Sequence, residues 1–254
     1  MPLDPPPSAP IAIILAAGKG TRMLSDLPKV LVPVRGRPMI CYVIDALHKA
    51  GVEKICVVVG YQADLVRREL ADVAGVEFVL QADQLGTGHA VMMCRRKLVD
   101  QMGPVFVVAG DSPLLQAATL QCLLAEFRCQ GADCLLGTVE KENPTGMGRI
   151  VRDAEGKFLA IIEEKDATPA QRKLHEINAS TYLFRADALL QSLDSLTDAN
   201  AQQEYYITDC PSILLAAGKM VVALKALRPC EALSINTVDD LKAVEVAMEQ
   251  LPDE

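Results

Sequence analysis

The run IAIILAAGKGTRMLSDLPK at residues 11–29 leaves this chain few architectures to choose from. Ile11, Ile13, Ile14 and Leu15 form a short apolar, β-branched stretch ending in Ala16-Ala17-Gly18, the pattern of a central parallel strand buried on both faces. Gly18 and Gly20 permit backbone conformations closed to other residues and put no side chain in the way, so amide N–H groups can face a polyphosphate. Lys19, Arg22 and Lys29 add positive charge. A dinucleotide fingerprint would need Gly where Met23 stands, and Gly18 to Met23 cannot supply the spacing of a Walker loop. What remains is a strand-turn phosphate cradle of a third kind.

Strand and helix then alternate. Met39, Ile40, Val43, Ile44 and Leu47 recur at helical spacing with Gly51 as the stop. Strands are expected at Ile55–Val59, Val76–Leu80 and Val105–Ala109, with a helix around Asp64–Leu70. This rhythm predicts an α/β fold: a Rossmann-like, mostly parallel sheet covered by helices, with ligands at the carboxyl ends of the strands. From about residue 133 the pattern changes to a smaller β-rich subdomain, with a strand at Asp133–Val139 and a hairpin of Gly148–Val151 and Lys157–Glu163. Thr208 or Asp209 is expected to cap a helix running to about Ala217, a strand follows at Val221–Leu224, and Thr237 with Asp240 forms a capping box for a last helix. The expected division is a flexible lead-in at 1–10 and one domain at 11–250, with halves at about 11–132 and 133–235 and a C-terminal helix at about 237–249.

Composition excludes several function classes. A net charge of −8 argues against a general nucleic-acid binder, and no eighteen apolar residues run together as a membrane span would require. With no signal-type N-terminus, a cytoplasmic location is expected. Aromatics are only 4% and Trp is absent, which leaves the aliphatic core typical of parallel sheets. Among eight cysteines no two are spaced C-x-x-C, so reduced, structural thiols are expected rather than a metal or disulfide framework.

Leu15-Ala16-Ala17-Gly18, Gly20-Thr21-Arg22-Met23 and Pro28-Lys29 together resemble the signature of the sugar-1-phosphate nucleotidyltransferases. The match is nearest to the uridylyltransferase (pyrophosphorylase) domain of bacterial N-acetylglucosamine-1-phosphate uridylyltransferases, and it covers roughly residues 11–245. The resemblance implies that Leu15, Ala16, Ala17 and Gly18 bind the nucleotide, and that Arg22 and Lys29 act on the phosphates. It makes the first half the nucleotide half and the second the sugar half.

Gln81 follows a strand end, and an amide presents the donor and acceptor needed to read a pyrimidine edge. Taken alone, Gln84-Leu85-Gly86-Thr87-Gly88-His89-Ala90 fits a helix-initiating turn as well as a base contact. By resemblance Gln81, Gly86 and Thr87 face uracil. Asp111 alone would read as a loop Asp capping the helix near Thr119. The resemblance makes it a Mg²⁺ ligand together with Asn236, and makes Gly148, Glu163 and Asn178 sugar contacts. Three positions depart from the family pattern: Ala109 and Met147 stand where Tyr or another aromatic is common, and Ala179-Ser180 replaces a pair ending in Gly.

The implied reaction joins UTP and N-acetylglucosamine 1-phosphate into UDP-N-acetylglucosamine and pyrophosphate, with Mg²⁺ as cofactor. Its nucleophile is a phosphate oxygen with a second pKa of about 6, so no general base is required. None of the three histidines sits in a plausible triad. Other readings are another sugar 1-phosphate such as glucose 1-phosphate, another NTP, or a non-catalytic nucleotide-sugar-binding module. UTP and a sugar 1-phosphate are the expected partners, with no nucleic acid and no membrane. The hexapeptide repeats of the family's acetyltransferase β-helix do not occur in the sequence, so acetyl transfer is not expected, and the chain is expected to be a monomer or weak dimer.

Overall fold

The computed structural model describes residues 8–23 and 25–250; most of the expected lead-in, residues 1–7, lies outside them. The strands are β1 (Ile11–Ala16), β2 (Pro33–Val34), β3 (Arg37–Pro38), β4 (Lys54–Val59), β5 (Val76–Leu80), β6 (Pro104–Ala109), β7 (Cys134–Glu140), β8 (Arg149–Arg152), β9 (Phe158–Ile162), β10 (Glu176–Arg185) and β11 (Val221–Lys225). The helices are α1 (Met39–Lys49), α2 (Ala63–Glu69), α3 (Thr87–Met93), α4 (Arg95–Leu98), α5 (Ala117–Gln130), α6 (Ala186–Asp194), α7 (Cys210–Ala216) and α8 (Val238–Glu249).

One sheet carries the molecule, in the order β11-β7-β10-β6-β1-β4-β5. The ladders β6-β1-β4-β5 and β7-β11 are parallel, and β10 runs antiparallel between β6 and β7. The expected β8-β9 hairpin forms and joins the sheet through β10. Strands of both halves therefore share one continuous ladder.

Because successive strand residues face opposite sides, the two faces build separate cores. Ala12, Ile14 and Ala16 of β1 pack with Val57, Phe106 and the helices α1 and α5 on one face. Ile11 and Ile13 pack with Val58, Val107, Tyr182, Phe184 and the helices α3, α6 and α7 on the other. A smaller cluster of Met23, Val34, Met39, Leu114, Ile235 and Val244 fastens α8 over the loop that follows β1.

Two local expectations change. Neither Thr208 nor Asp209 caps α7 by a side-chain bond, because Asp209 already has helical backbone angles and the Thr208 hydroxyl donates to Glu163 Oε1 instead (3.0 Å). The strand β10 and the helix α6, at residues 176–194, were not anticipated. The capping box of α8 is present: Asp240 N donates to Thr237 Oγ1 (3.2 Å) and Thr237 N donates back to Asp240 Oδ2 (2.8 Å).

Candidate active site

A cleft of about 440 Å³ opens at the carboxyl ends of β1, β5 and β6, where a parallel sheet presents its loops. Its lining includes Leu15, Ala16, Ala17, Gly18, Lys29, Gln81, Gly86, Thr87, Asp111, Gly148, Glu163, Asn178 and Asn236. Every site residue expected from sequence except Arg22 is thus on one wall or another of a single cavity. Arg22 lies at the edge and donates from Nη2 to Asn236 Oδ1 (3.1 Å). Lys19 is not among the lining residues; its ammonium stands 5.1 Å from the centre of the Tyr61 ring.

The turn after β1 depends on Gly20. It adopts φ +67°, and a Cβ there would fall 2.6 Å from Lys29 Cβ. Only a residue without a side chain lets the loop fold back far enough to bring Lys29 over the strand end. There Lys29 Nζ donates to Asn236 Oδ1 (2.7 Å) and forms an ion pair with Asp111 Oδ2. Asp111 follows β6 and Asn236 precedes α8, with Ile235 N donating to the Asp111 carbonyl oxygen (3.0 Å) to hold the two loops together. Three segments far apart in sequence therefore place two hard oxygen atoms around one cation.

On the opposite wall Gln81 is buried. Its Nε2 donates to the Gly86 carbonyl oxygen (3.0 Å) and lies 3.0 Å from His89 Nδ1. Its backbone oxygen accepts from Gln84 Nε2 (3.2 Å), whereas its side-chain Oε1 has no hydrogen bond among the described residues. Gly86 takes φ +106°, and a Cβ would meet Tyr205 O at 2.6 Å, so the loop before α3 is pressed against residues 205–207. Gly88 N donates to Tyr205 O (2.7 Å) and Ile207 N to Thr87 Oγ1 (3.1 Å), which fixes the start of α3.

The third wall is held by a buried cation. Arg149, fully buried, donates to Glu164 Oε2 (2.7 Å) and to the Met147 carbonyl oxygen, while Gly146 N donates to the same Glu164 oxygen (3.2 Å). The Gly146–Gly148 loop is set by these bonds. Asn178 Nδ2 donates to the buried Tyr182 hydroxyl (2.6 Å). Among the described residues, half-buried Glu163 is hydrogen-bonded by the Thr208 hydroxyl alone; burial pushes its carboxyl above the ordinary range, and the nearby Asp209 adds to the effect. Ser180 keeps the glycine-type backbone of the family pattern, with φ +51° and its N donating to Asn178 Oδ1 (3.2 Å).

Sequence reasoning missed Thr208 and Tyr182 as partners of Glu163 and Asn178. The QEYYITD run was the available signal for Thr208. The ion pair of Arg149 with Glu164 was not foreseen either. Among the described residues no three His, Cys, Asp or Glu side chains cluster as metal ligands, and no helix is long and apolar enough to cross a membrane.

The model of the MobA-like NTP transferase domain matches residues 12–206. The bifunctional protein GlmU of Pelotomaculum thermopropionicum is 47% identical over 234 residues, covering 92% of this chain and 51% of that protein. GlmU of Heliobacterium modesticaldum is 46% identical over 238 residues, covering 94% and 52%. The chain spans about half the length of the curated relatives it matches. Two solved structures share the fold at TM-score 0.77. One, from Bacillus anthracis, is provisionally assigned as a glucose-1-phosphate thymidylyltransferase (19% identity, covering 97% of this chain and 98% of that one). The other is a UDP-glucose pyrophosphorylase complexed with UDP-glucose (18% identity, 95% and 99%). With three-quarters of its length inside that domain model, the chain belongs to the MobA-like NTP transferases, and within them it resembles the uridylyltransferase part of the GlmU proteins.

Proposed function

We propose that this chain transfers UMP from UTP to N-acetylglucosamine 1-phosphate, releasing pyrophosphate. The observation that carries the reading is that one cleft joins the glycine turn and Lys29, the Gln81–Thr87 wall, and the Gly148–Glu163–Asn178 wall. Such a cavity can seat a nucleotide and a sugar phosphate with their phosphates meeting beside Lys29.

Gln81 supports a uracil base. Its amide nitrogen is taken by Gly86 and His89, so what it has left to offer is an acceptor oxygen. Uracil N3–H is a donor and cytosine N3 is an acceptor, which favours UTP over CTP. Glu163 and Asn178 are then acceptors and donors for sugar hydroxyls, and the Gly146–Gly148 backbone approaches the acetamido group. The attacking phosphate oxygen is already largely ionised near neutral pH, so the chain needs no base. Its task is to bring two anions together, and Lys29 and Arg22 lower the repulsion between them.

Asp111 and Asn236 would hold Mg²⁺. A carboxylate and a carboxamide oxygen facing one cation are a hard donor set, and a small protein ligand set suits an ion that keeps waters and substrate phosphates as its other ligands. When bound, the ion supplies charge neutralisation at the phosphates.

The test is pyrophosphate release from UTP and Mg²⁺, with N-acetylglucosamine 1-phosphate and glucose 1-phosphate assayed side by side. Preference for the acetamido sugar is expected. Silence with both, while UTP still binds, would leave a nucleotide-binding module and overturn the reading.

A further inference from the structure

Cys56 and Cys94 stand apart from this chemistry. Cys56 lies on β4 and Cys94 ends α3, and their Sγ atoms are 3.5 Å apart in a thiol hydrogen bond inside the core that includes Ile13, Val58 and Leu98. All eight cysteines are free, and among the described residues no other two thiols are in hydrogen-bond contact. Cys134 and Cys210 share the same core without such a contact. Cys56 is 7% exposed and Cys94 is 0% exposed, so only the first has any opening to a small reagent.

We propose that Cys56 and Cys94 form an oxidation-sensitive dithiol, which hydrogen peroxide closes to a disulfide, drawing α3 toward β4 and weakening nucleotide binding at the far end of that helix. The Cys56 thiolate attacks one peroxide oxygen, the O–O bond breaks, and the departing hydroxide takes a proton to become water. The Cys94 sulfur then attacks the sulfenic sulfur, its proton leaving with the hydroxyl as a second water while the S–S bond forms. Two thiols and one peroxide thus give one disulfide and two waters. The hydrogen bond with Cys94 holds the Cys56 pKa below its ordinary value, which, with its slight exposure, favours Cys56 as the first to react.

A disulfide needs sulfurs about 2.05 Å apart, so the pair must close by about 1.5 Å. β4 is held between β1 and β5, which leaves α3 as the element to move. Its first turn is clamped by Tyr205 and Ile207 and abuts Gln81 through Gly86, so a shift at Cys94 strains the Gln81–Thr87 wall. Only this consequence rests on the proposed nucleotide site; the bond itself does not.

The experiment treats the full chain with hydrogen peroxide, alkylates the remaining thiols and digests with trypsin, and measures UTP binding before oxidation, after it, and after dithiothreitol. Expected are a linked peptide joining residues 55–67 to 69–95, about fivefold weaker UTP binding at the low end of ordinary coupling between sites, and full recovery on reduction. Cys94→Ala should bind UTP normally and ignore peroxide, with Cys56→Ala as the second variant if the first does not fold. Sulfinic acid at Cys56 without a linked peptide, or a linked peptide with unchanged UTP binding, would overturn the proposal. Failure of the untreated protein to bind UTP would instead count against the nucleotide reading.

Discussion

In one part of the cleft Asp111 is engaged by the Lys29 ammonium, which also reaches Asn236; in another, half-buried Glu163 has the Thr208 hydroxyl as its one hydrogen-bond donor among the described residues. The first part satisfies its charges internally, so an incoming polyphosphate has to compete with existing contacts for Lys29. The second part leaves a carboxylate short of donors, which a ligand hydroxyl can supply. A third carboxylate separates these cases from a purely structural one. Glu176 on β10 accepts a two-pronged bond from Arg152 (2.8 and 2.6 Å) and one from the Thr138 hydroxyl (2.6 Å). Burial pushes it up, yet Arg152 and Thr138 outweigh burial and hold its pKa below the ordinary value. The lesson is that a buried carboxylate already saturated with donors serves the fold, whereas one left short of them faces a ligand.

The strongest way to break this comparison is Lys29→Ala. If the Asp111 part carries the phosphate chemistry, turnover should fall about 10²- to 10³-fold, as for loss of one transition-state charge contact, while the urea midpoint moves little. A soluble variant with unchanged turnover would remove Lys29 from the mechanism.

Arg152→Ala tests the structural case. Arg152 also donates to the carbonyl oxygens of Gly156 and Ala223, tying the β8-β9 turn and β11 to β10. Its loss strands a buried carboxylate, and with the arginine partly open to solvent the cost should be about 2 kcal/mol in urea unfolding. The KM for UTP should not change; a change there would mean that Glu176 communicates with the cleft.

Glu163→Gln gives the smallest effect and the sharpest contrast. The KM for the sugar phosphate should rise about tenfold with that for UTP unchanged. The folded chain holds the Glu163 proton more tightly than the unfolded one. Stability from this group is therefore present at low pH and declines as pH rises from the ordinary value of 4.5 toward the raised native one. Glu176, held low, has the opposite sign: its contribution is present above 4.5 and is lost as pH falls below it. Because other carboxylates titrate in the same window, the readout is the difference: the urea midpoint of Glu163→Gln relative to wild type should rise as pH rises from 4.5.

The first half of the fold was legible because its signals are local. Period, stop residues and strand ends at 11–109 are set by runs of five to a dozen neighbours, and the expected strands and helices there appear within a residue or two, while the short β2, β3 and α4 were not expected. β10 was not legible as a strand. Its register shifts between Asn178 and Tyr182, where Ser180 takes a left-handed backbone, so the two-residue alternation that announces a strand is interrupted in its middle. The cleft was readable residue by residue through the family resemblance, but not as a set of contacts. Thr208 reads locally as a helix cap, and only the tertiary fold brings it to Glu163. Nothing local singles out Arg149 within the expected Gly148–Val151 strand, and only the packed loop reveals its buried guanidinium donating to the Met147 carbonyl oxygen.

The placement of β10 bears on the order in which the molecule can be finished during synthesis. Strands β1, β4, β5 and β6 are all complete by residue 109 and can pair as they leave the ribosome. The open edge of β6, with its Val105 to Val108 run, must then wait for residues 181–185 before it is covered. For roughly seventy residues of translation a hydrophobic edge stays available to any other strand, and the length of that wait, rather than the stability of the finished sheet, sets the window for misassembly.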